Sequence, residues 1–438
     1  MGGVRLGAGF ESPAAMRRHW LAGIFAVSLT WAILVAVFTS DHVHYLWGVM
    51  AAAGYGAALV LVLVLRHRRT AEIAIGVSFV GGLLVPLAWL AARLLMQPEV
   101  CVVADSGMSL LHHGTPYTDA AVLAGTTDQN AYNPYLPVMA LFGLPRAIFN
   151  LGMLDCTAAS VGRAPASFFN LDLLTDPRVW FGVVFLVVFW LALRQAGARD
   201  PGRWTFLVAG TPVIAFELAV GGTDVPMVGF LCLGFAYLWV RKPVLAGLAL
   251  GIGASMKATA WPALLVAVAL LAVRDGKRAV SAFSLTALGV VAVCVGPFVL
   301  RQPKTLYVNT IKFPLGLASV RSAAASPLPG HIIAATWPTT GHTIVVVLLV
   351  LAGLGVAASL VFRPPRSVPR AVMLLAGAMA LMFVLAPSTR FGYFIYPAAL
   401  AIWLLAAYTG RRADGGDALG EVSVGFLPAR VPDGPPTA

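Results

Sequence analysis

Apolar runs close to membrane-spanning length recur from one end of this chain to the other, and few folds can accommodate them. A helix needs about 20 apolar residues to cross the hydrocarbon of a bilayer, within a range of about 17 to 25. Such runs, some of them short, fall at Leu21–Phe38, Tyr45–Leu65, Ile73–Leu95, Val179–Leu193, Trp204–Val220 and Val225–Val240. Six more fall at Val244–Met256, Trp261–Val273, Val280–Leu300, Thr343–Phe362, Ala371–Leu385 and Phe391–Tyr408. The expectation is an all-α polytopic membrane protein with about twelve transmembrane helices. Composition agrees, since 11% of the residues are charged against roughly 25% in a soluble domain.

A net charge of +12 raises the question of nucleic acid. The position of the charges answers it, because they cluster in short connections between apolar runs. That is a topology signal rather than a binding stripe, and nucleic-acid binding is excluded. With the N-terminus inside, the clusters Arg66 to Arg69, Arg194 to Arg203, Arg241-Lys242, Arg274 to Arg278 and Arg363 to Arg370 all fall on the cytoplasmic side. Arg411-Arg412 at the head of the tail join them. Taking Tyr135–Leu151 as a further full span would put Arg194, Arg199 and Arg203 outside, so that stretch is not counted. The first run is longer than a signal-peptide core and no small-x-small site follows it, so a first span fits better than a cleaved leader.

The organisation that follows is a cytoplasmic segment over 1–20, two accessory spans over 21–72 and a membrane core over 73–408. Both termini are expected in the cytoplasm and the membrane is expected to be the plasma membrane. Met96 to Arg178 becomes one extracytoplasmic loop and Arg301 to His342 a second. Within the first, Ser106–His113 and Tyr135–Phe149 read as short amphipathic helices at the membrane surface. The tail over 409–438 is rich in Gly, Pro and Asp and is expected to be disordered.

The first long polar interruption runs from Gln97 to Tyr135, directly after a membrane-length run. It holds acids, paired histidines, amides and a Tyr-Asn-Pro-Tyr turn. Cys101 and Cys156 share the same loop, where a disulfide is one option. Cys232 and Cys294 lie within spans, where cysteine serves as a small hydrophobe. No CxxC or His/Cys metal spacing occurs, and Asp119 and Asp128 are too far apart in sequence to imply a metal site.

The order of motifs carries a resemblance. A span and an acid precede LLHHGTPY and YNPYLPVMALFGLP; GGTDVP, AGLALGIGASMKATAWPALL and a late APSTRFGYF follow. This resembles the polyprenyl-phosphate-dependent glycosyltransferases of the GT-C type, especially the mannosyltransferase-like GT87 family, over about Ile73 to Tyr408. The resemblance implies transfer of a sugar, with a lean to mannose, from a polyprenyl-phosphate donor to a glycolipid or glycan acceptor of the cell envelope. It implies no cofactor, and a need for divalent metal is left open.

That chemistry needs a base for the acceptor hydroxyl and cations for the leaving phosphate. In the family an acid stands eleven residues before a Leu-Leu pair and seventeen before a Pro-Tyr pair. Counting back from Leu110 and from Pro116 reaches Glu99 both times. Here the acid is Glu rather than Asp. Asp105 has the usual residue type six residues further on, and either acid also reads as an ordinary loop residue, or Asp105 as a helix cap. For the donor phosphate the candidates are Lys257, Arg390 and His113. For acceptor or sugar they are His112, Tyr117, Tyr132, Asn133, Tyr135, Asp224 and Glu217. Lys257 also reads as the ion-pair partner of Glu217 or Asp224. Lys304, Lys312, Arg321 and His331, in the second loop, rank below these.

Two other classes fit part of this pattern. A transporter with acids and a lysine at membrane depth is one, although no repeat relates the halves. A non-catalytic binder of polyprenyl lipid is the other.

Overall fold

The computed structural model describes residues 13–67, 69–154, 156, 170–320, 324–337 and 339–413. Helices make up nearly all of it. Eight are long and apolar enough to cross a membrane, or nine if one bent pair is a single span. They are α1 (Pro13–Phe38), α2 (His42–Val64), α3 (Thr70–Ala92), α5 (Pro177–Gln195), α11 (Lys277–Arg301), α12 (Gly341–Phe362), α13 (Val368–Leu385) and α14 (Ile395–Ala413, whose span begins at Phe391). The bent pair is α6 (Pro201–Ala209) with α7 (Pro212–Val220), which turn by 58° between them. Between Ala92 and Pro177 stands α4 (Pro98–His113).

The other three expected runs also form helices, but short ones: α8 (Val225–Trp239), α9 (Pro243–Ala254) and α10 (Trp261–Arg274). At 1.5 Å per residue the 12 residues of α9 reach about 18 Å, well below the roughly 30 Å of hydrocarbon. Proline at the first or second position of each marks where it begins, since it is favoured there and not deeper in a helix. Of the twelve expected runs, the described residues thus form eight or nine helices of full spanning length and three short apolar helices packed in the core.

Some boundaries are corrected. The helix expected from Ser106 begins at Pro98, so Glu99 stands in its first turn and Asp105 within it rather than at its cap. Its earlier turns are largely covered, with Val100 to Ala104 and Ser106 to Met108 buried, and its last turn, Leu111 to His113, is exposed. Tyr135–Phe149 forms a tight helical turn over Pro137–Gly143 and a short helix over Leu144–Ile148 instead of one amphipathic helix. Its Gly143 lets the turn lie against α4, where a side chain would strike the carbonyls of Val103 and Ala104. At the other terminus α14 runs to Ala413, past the expected start of the tail at 409. The tail beyond lies outside the described residues, as do Arg68 and Arg321.

A buried ion pair fixes the frame around the start of α4. Arg178 is fully buried; it pairs with Asp176 at 2.7 Å and donates to the carbonyls of Leu95 and Ala219 at 2.8 and 2.7 Å. One guanidinium thus ties the ends of α3, α5 and α7 together. Buried charge is tolerated when paired and hydrogen-bonded in this way. The connections at the opposite ends are tied as well, by Arg241 to Asp275 and by Arg203 to Glu72 at 3.8 Å.

Candidate active site

Alternate connections of the helices meet in one open cleft of about 150 Å3. Glu99, Tyr132, Tyr135, Lys257, Arg390 and Tyr393 line it, together with Gln129, Asn130, Thr259, Thr310, Phe313 and Ser388. Backbone bonds hold these segments in register. The Gln97 N–H donates to Val220 at 2.8 Å, and the Leu136 and Val138 N–H groups donate to Met256 and Ser255 at 2.8 and 3.1 Å. Thr389 donates to Ala324 at 3.0 Å and accepts from Ser326 at 2.9 Å, which sets the position of Arg390 beside it.

The charges of the cleft are paired. Glu99 Oε1 lies 2.5 Å from Arg390, while Glu99 Oε2 is buried and has no hydrogen-bond partner among the described residues. Lys257 Nζ lies 2.7 Å from Asp224 Oδ1, so the ion pair that the sequence left open is formed with Asp224. The Tyr396 hydroxyl donates to the same Asp224 oxygen at 2.7 Å and lies 2.9 Å from the Thr259 hydroxyl. The Lys257 ammonium also stands over the Tyr393 ring at 4.8 Å and the Tyr135 ring at 5.5 Å. Burial opposes the charge on Lys257, but Asp224, with Tyr393 and Glu99 behind it, more than offsets this, and its pKa lies above that of an ordinary lysine. Arg390 follows the same pattern, with Glu99 the leading counter-charge. Both cations are therefore held charged.

The two acids proposed from the sequence are separated. Glu99 lines the cleft; Asp105 does not. Asp105 sits under the loop that follows residue 150, accepting from the Leu154 N–H at 2.8 Å beside the sulfur of Cys156. Cys156 is bonded to Cys101, so the disulfide option is realised and staples that loop to α4. Burial raises the Asp105 pKa to about 6, against the lowering effect of the Leu154 N–H and Arg146.

The remaining candidates divide in the same way. Tyr132 stacks on Phe313 with ring centres 4.5 Å apart, and its hydroxyl reaches Leu123 and Ser319. Tyr135 accepts from Thr223 at 3.1 Å, and burial raises its pKa well above the usual tyrosine value. Asn133 and Tyr117 are braces rather than lining: the Asn133 side-chain amide donates to the Pro116 carbonyl and its backbone N–H to Asn309 Oδ1, and the Tyr117 hydroxyl donates to the Tyr135 carbonyl at 2.9 Å. Glu217 lies beneath Gly392, where any side chain would collide with its carboxylate. His112 and His113 end α4 exposed and away from the cleft. Lys304 and Lys312 do not line it, and His331 is spent on the Pro387 carbonyl at 3.0 Å. Sequence reasoning passed over Thr259, Tyr393 and Tyr396; Tyr393 alone had a signal, its place in FGYF after the cation.

Comparisons with known proteins bear on this arrangement. The profile of glycosyltransferase family 87 matches residues 133–387, more than half of the chain. No curated protein matches significantly. Among solved structures, ArnT from Cupriavidus metallidurans bound to undecaprenyl phosphate is similar, with 16% identity and a TM-score of 0.43 over 78% of this chain. The apo form of that protein gives 16% identity and a TM-score of 0.44 over 79% of this chain. The chain spans only 60% and 62% of the length of those two structures.

Proposed function

Since the chain belongs to glycosyltransferase family 87, we propose that it moves a sugar from a polyprenyl-phosphate donor to a hydroxyl of a cell-envelope glycolipid or glycan. Mannose is the sugar that the sequence resemblance favours. The observation that carries the reading is the free oxygen of Glu99: a carboxylate oxygen, buried in a cleft and without a partner, beside two held cations. An unpaired buried acceptor is costly, and a substrate hydroxyl would satisfy it.

In the proposed reaction the acceptor oxygen attacks the anomeric carbon and its proton passes to Glu99 Oε2. The bond from that carbon to the phosphate oxygen breaks, and the electron pair leaves with the polyprenyl phosphate. Lys257 and Arg390 meet the charge that develops there. Tyr132, Tyr135 and the amides of Gln129 and Asn130 form walls suited to a polyhydroxylated ring. Asp224 and Glu217 act through their neighbours, Asp224 on Lys257 and Glu217 under the Arg390 segment.

The membrane placement belongs to the same proposal. The cleft faces the outer side of the plasma membrane, with twelve helical passes and both termini in the cytoplasm. Two observations support it: the cleft gathers alternate connections, and the connections at the other ends carry the basic clusters. The test is turnover by the purified protein of a labelled polyprenyl-phosphate sugar with envelope glycolipid as acceptor. Transfer of label supports the enzyme. Uptake of the lipid-linked sugar into proteoliposomes without transfer would overturn it in favour of a transporter.

A further inference from the structure

The two ion pairs of the cleft are built differently. Asp224 is braced: Lys257 and the Tyr396 hydroxyl meet the same oxygen, and Thr259 stands behind the tyrosine. Glu99 is not braced. One of its oxygens touches Arg390 and the other is buried with no partner at all. Both cations assigned to the donor phosphate are thus already neutralised before any phosphate arrives.

An incoming phosphate has to share or displace a carboxylate. An ammonium carries three donors, so Lys257 can keep Asp224 and add a phosphate oxygen. A guanidinium prefers to present its fork to one oxyanion, and bidentate pairing with phosphate is its strong mode. Leaving Glu99 on the same guanidinium would set two anions side by side in a cleft of about 150 Å3, where repulsion is less screened than in water. The weaker, singly held partner gives way.

Resting on the donor reading above, we infer that Arg390 is exchanged between Glu99 and the donor phosphate, while Lys257 stays with Asp224 and takes the phosphate as an added partner. The exchange links the two substrates. Glu99 is released to a hydroxyl only once a leaving group occupies the guanidinium, so the acid is committed to a proton when transfer can follow. An acceptor arriving first meets a carboxylate still tied to Arg390.

The experiment is a binding measurement with sugar-free polyprenyl phosphate, which cannot turn over, on the purified full chain. Glu99→Gln removes the competing charge at constant size and should tighten binding about 5- to 10-fold, corresponding to about 1 kcal/mol or slightly more. Arg390→Gln should weaken binding, and adding Glu99→Gln to it should recover nothing. Glu99→Ala should shift affinity in the same direction if the glutamine variant folds poorly. Equal tightening with and without Arg390 would mean plain repulsion between anions and would overturn the exchange. Absence of tightening, with Arg390→Gln still weakening, would overturn the exchange and leave the donor reading standing. Unchanged binding in both Arg390→Gln and Lys257→Gln would remove the donor reading and the exchange with it.

Discussion

Gly107 and Gly143 meet backbone to backbone, and a Cβ on Gly107 would run into the main chain of Gly143. The contact seats α4, and so Glu99 in its first turn, against the turn Pro137–Gly143 whose first residues bind the Lys257 connection. Gly107→Ala should destabilise the fold by about 1–3 kcal/mol, the usual cost of overpacking. Thermal unfolding of the purified protein in detergent reads this directly. An unshifted transition would mean that the two segments separate without cost.

Removing the proposed base has a sharper signature. Glu99→Gln should lower kcat about 100- to 10,000-fold, the range of general-base catalysis, without weakening donor binding. Glu99→Asp should keep measurable activity, because the carboxylate remains although its reach is shorter. Asp105→Asn should cost far less, since Asp105 lies away from the cleft. Loss of transfer in Asp105→Asn with an active Glu99→Gln would reverse the assignment.

Asp105 instead governs a pH dependence of stability. Its pKa is about 6 in the folded chain against an ordinary 3.8, chiefly because of burial. Between roughly pH 4 and 6 the folded chain keeps a proton that the unfolded chain has released, so stability falls as pH rises through that window. Above it the loss is complete. Asp105→Asn retains an oxygen for the Leu154 N–H and cannot ionise, so its melting temperature should vary less with pH over this interval. Parallel melting curves for wild type and variant would refute the burial effect.

Topology is open to chemical labelling. A cysteine at Ala124, on the exposed loop that leads to the cleft, should react with a membrane-impermeant maleimide on intact cells. One at Arg199, in the connection between α5 and α6, should react only after lysis. Both belong in a Cys294→Ser background, as Cys294 is partly exposed. Labelling of the Arg199 position from outside would invert the proposed orientation.

Much of this architecture was legible because apolar length is a local property. All twelve runs fall on helices; Lys257 and Arg390 stood out as charges beside apolar walls, and Glu99 by its spacing from Leu110 and Pro116. The short lengths of α8 to α10 were legible too, because each expected run ends within two residues of its helix. What escaped altogether depends on distant partners. Nothing near Asp105 announces that Leu154 and Cys156 will cover it. Likewise Thr259, Tyr396, Asp224 and Lys257 form one chain of contacts drawn from three separate segments. The paired histidines misled for the opposite reason: their residue type suggested phosphate, but the helix that carries them ends in the open.

A cleft assembled from alternate connections also sets an order of manufacture. Ribosomes release Glu99 first, then Asp224 and Lys257, and Arg390 only just before the final helix. Through most of synthesis the glutamate waits without its guanidinium, although the lysine pair closes earlier. A chain cut short between residues 257 and 390 therefore holds the partners of the Lys257–Asp224 pair and lacks the guanidinium that pairs with Glu99.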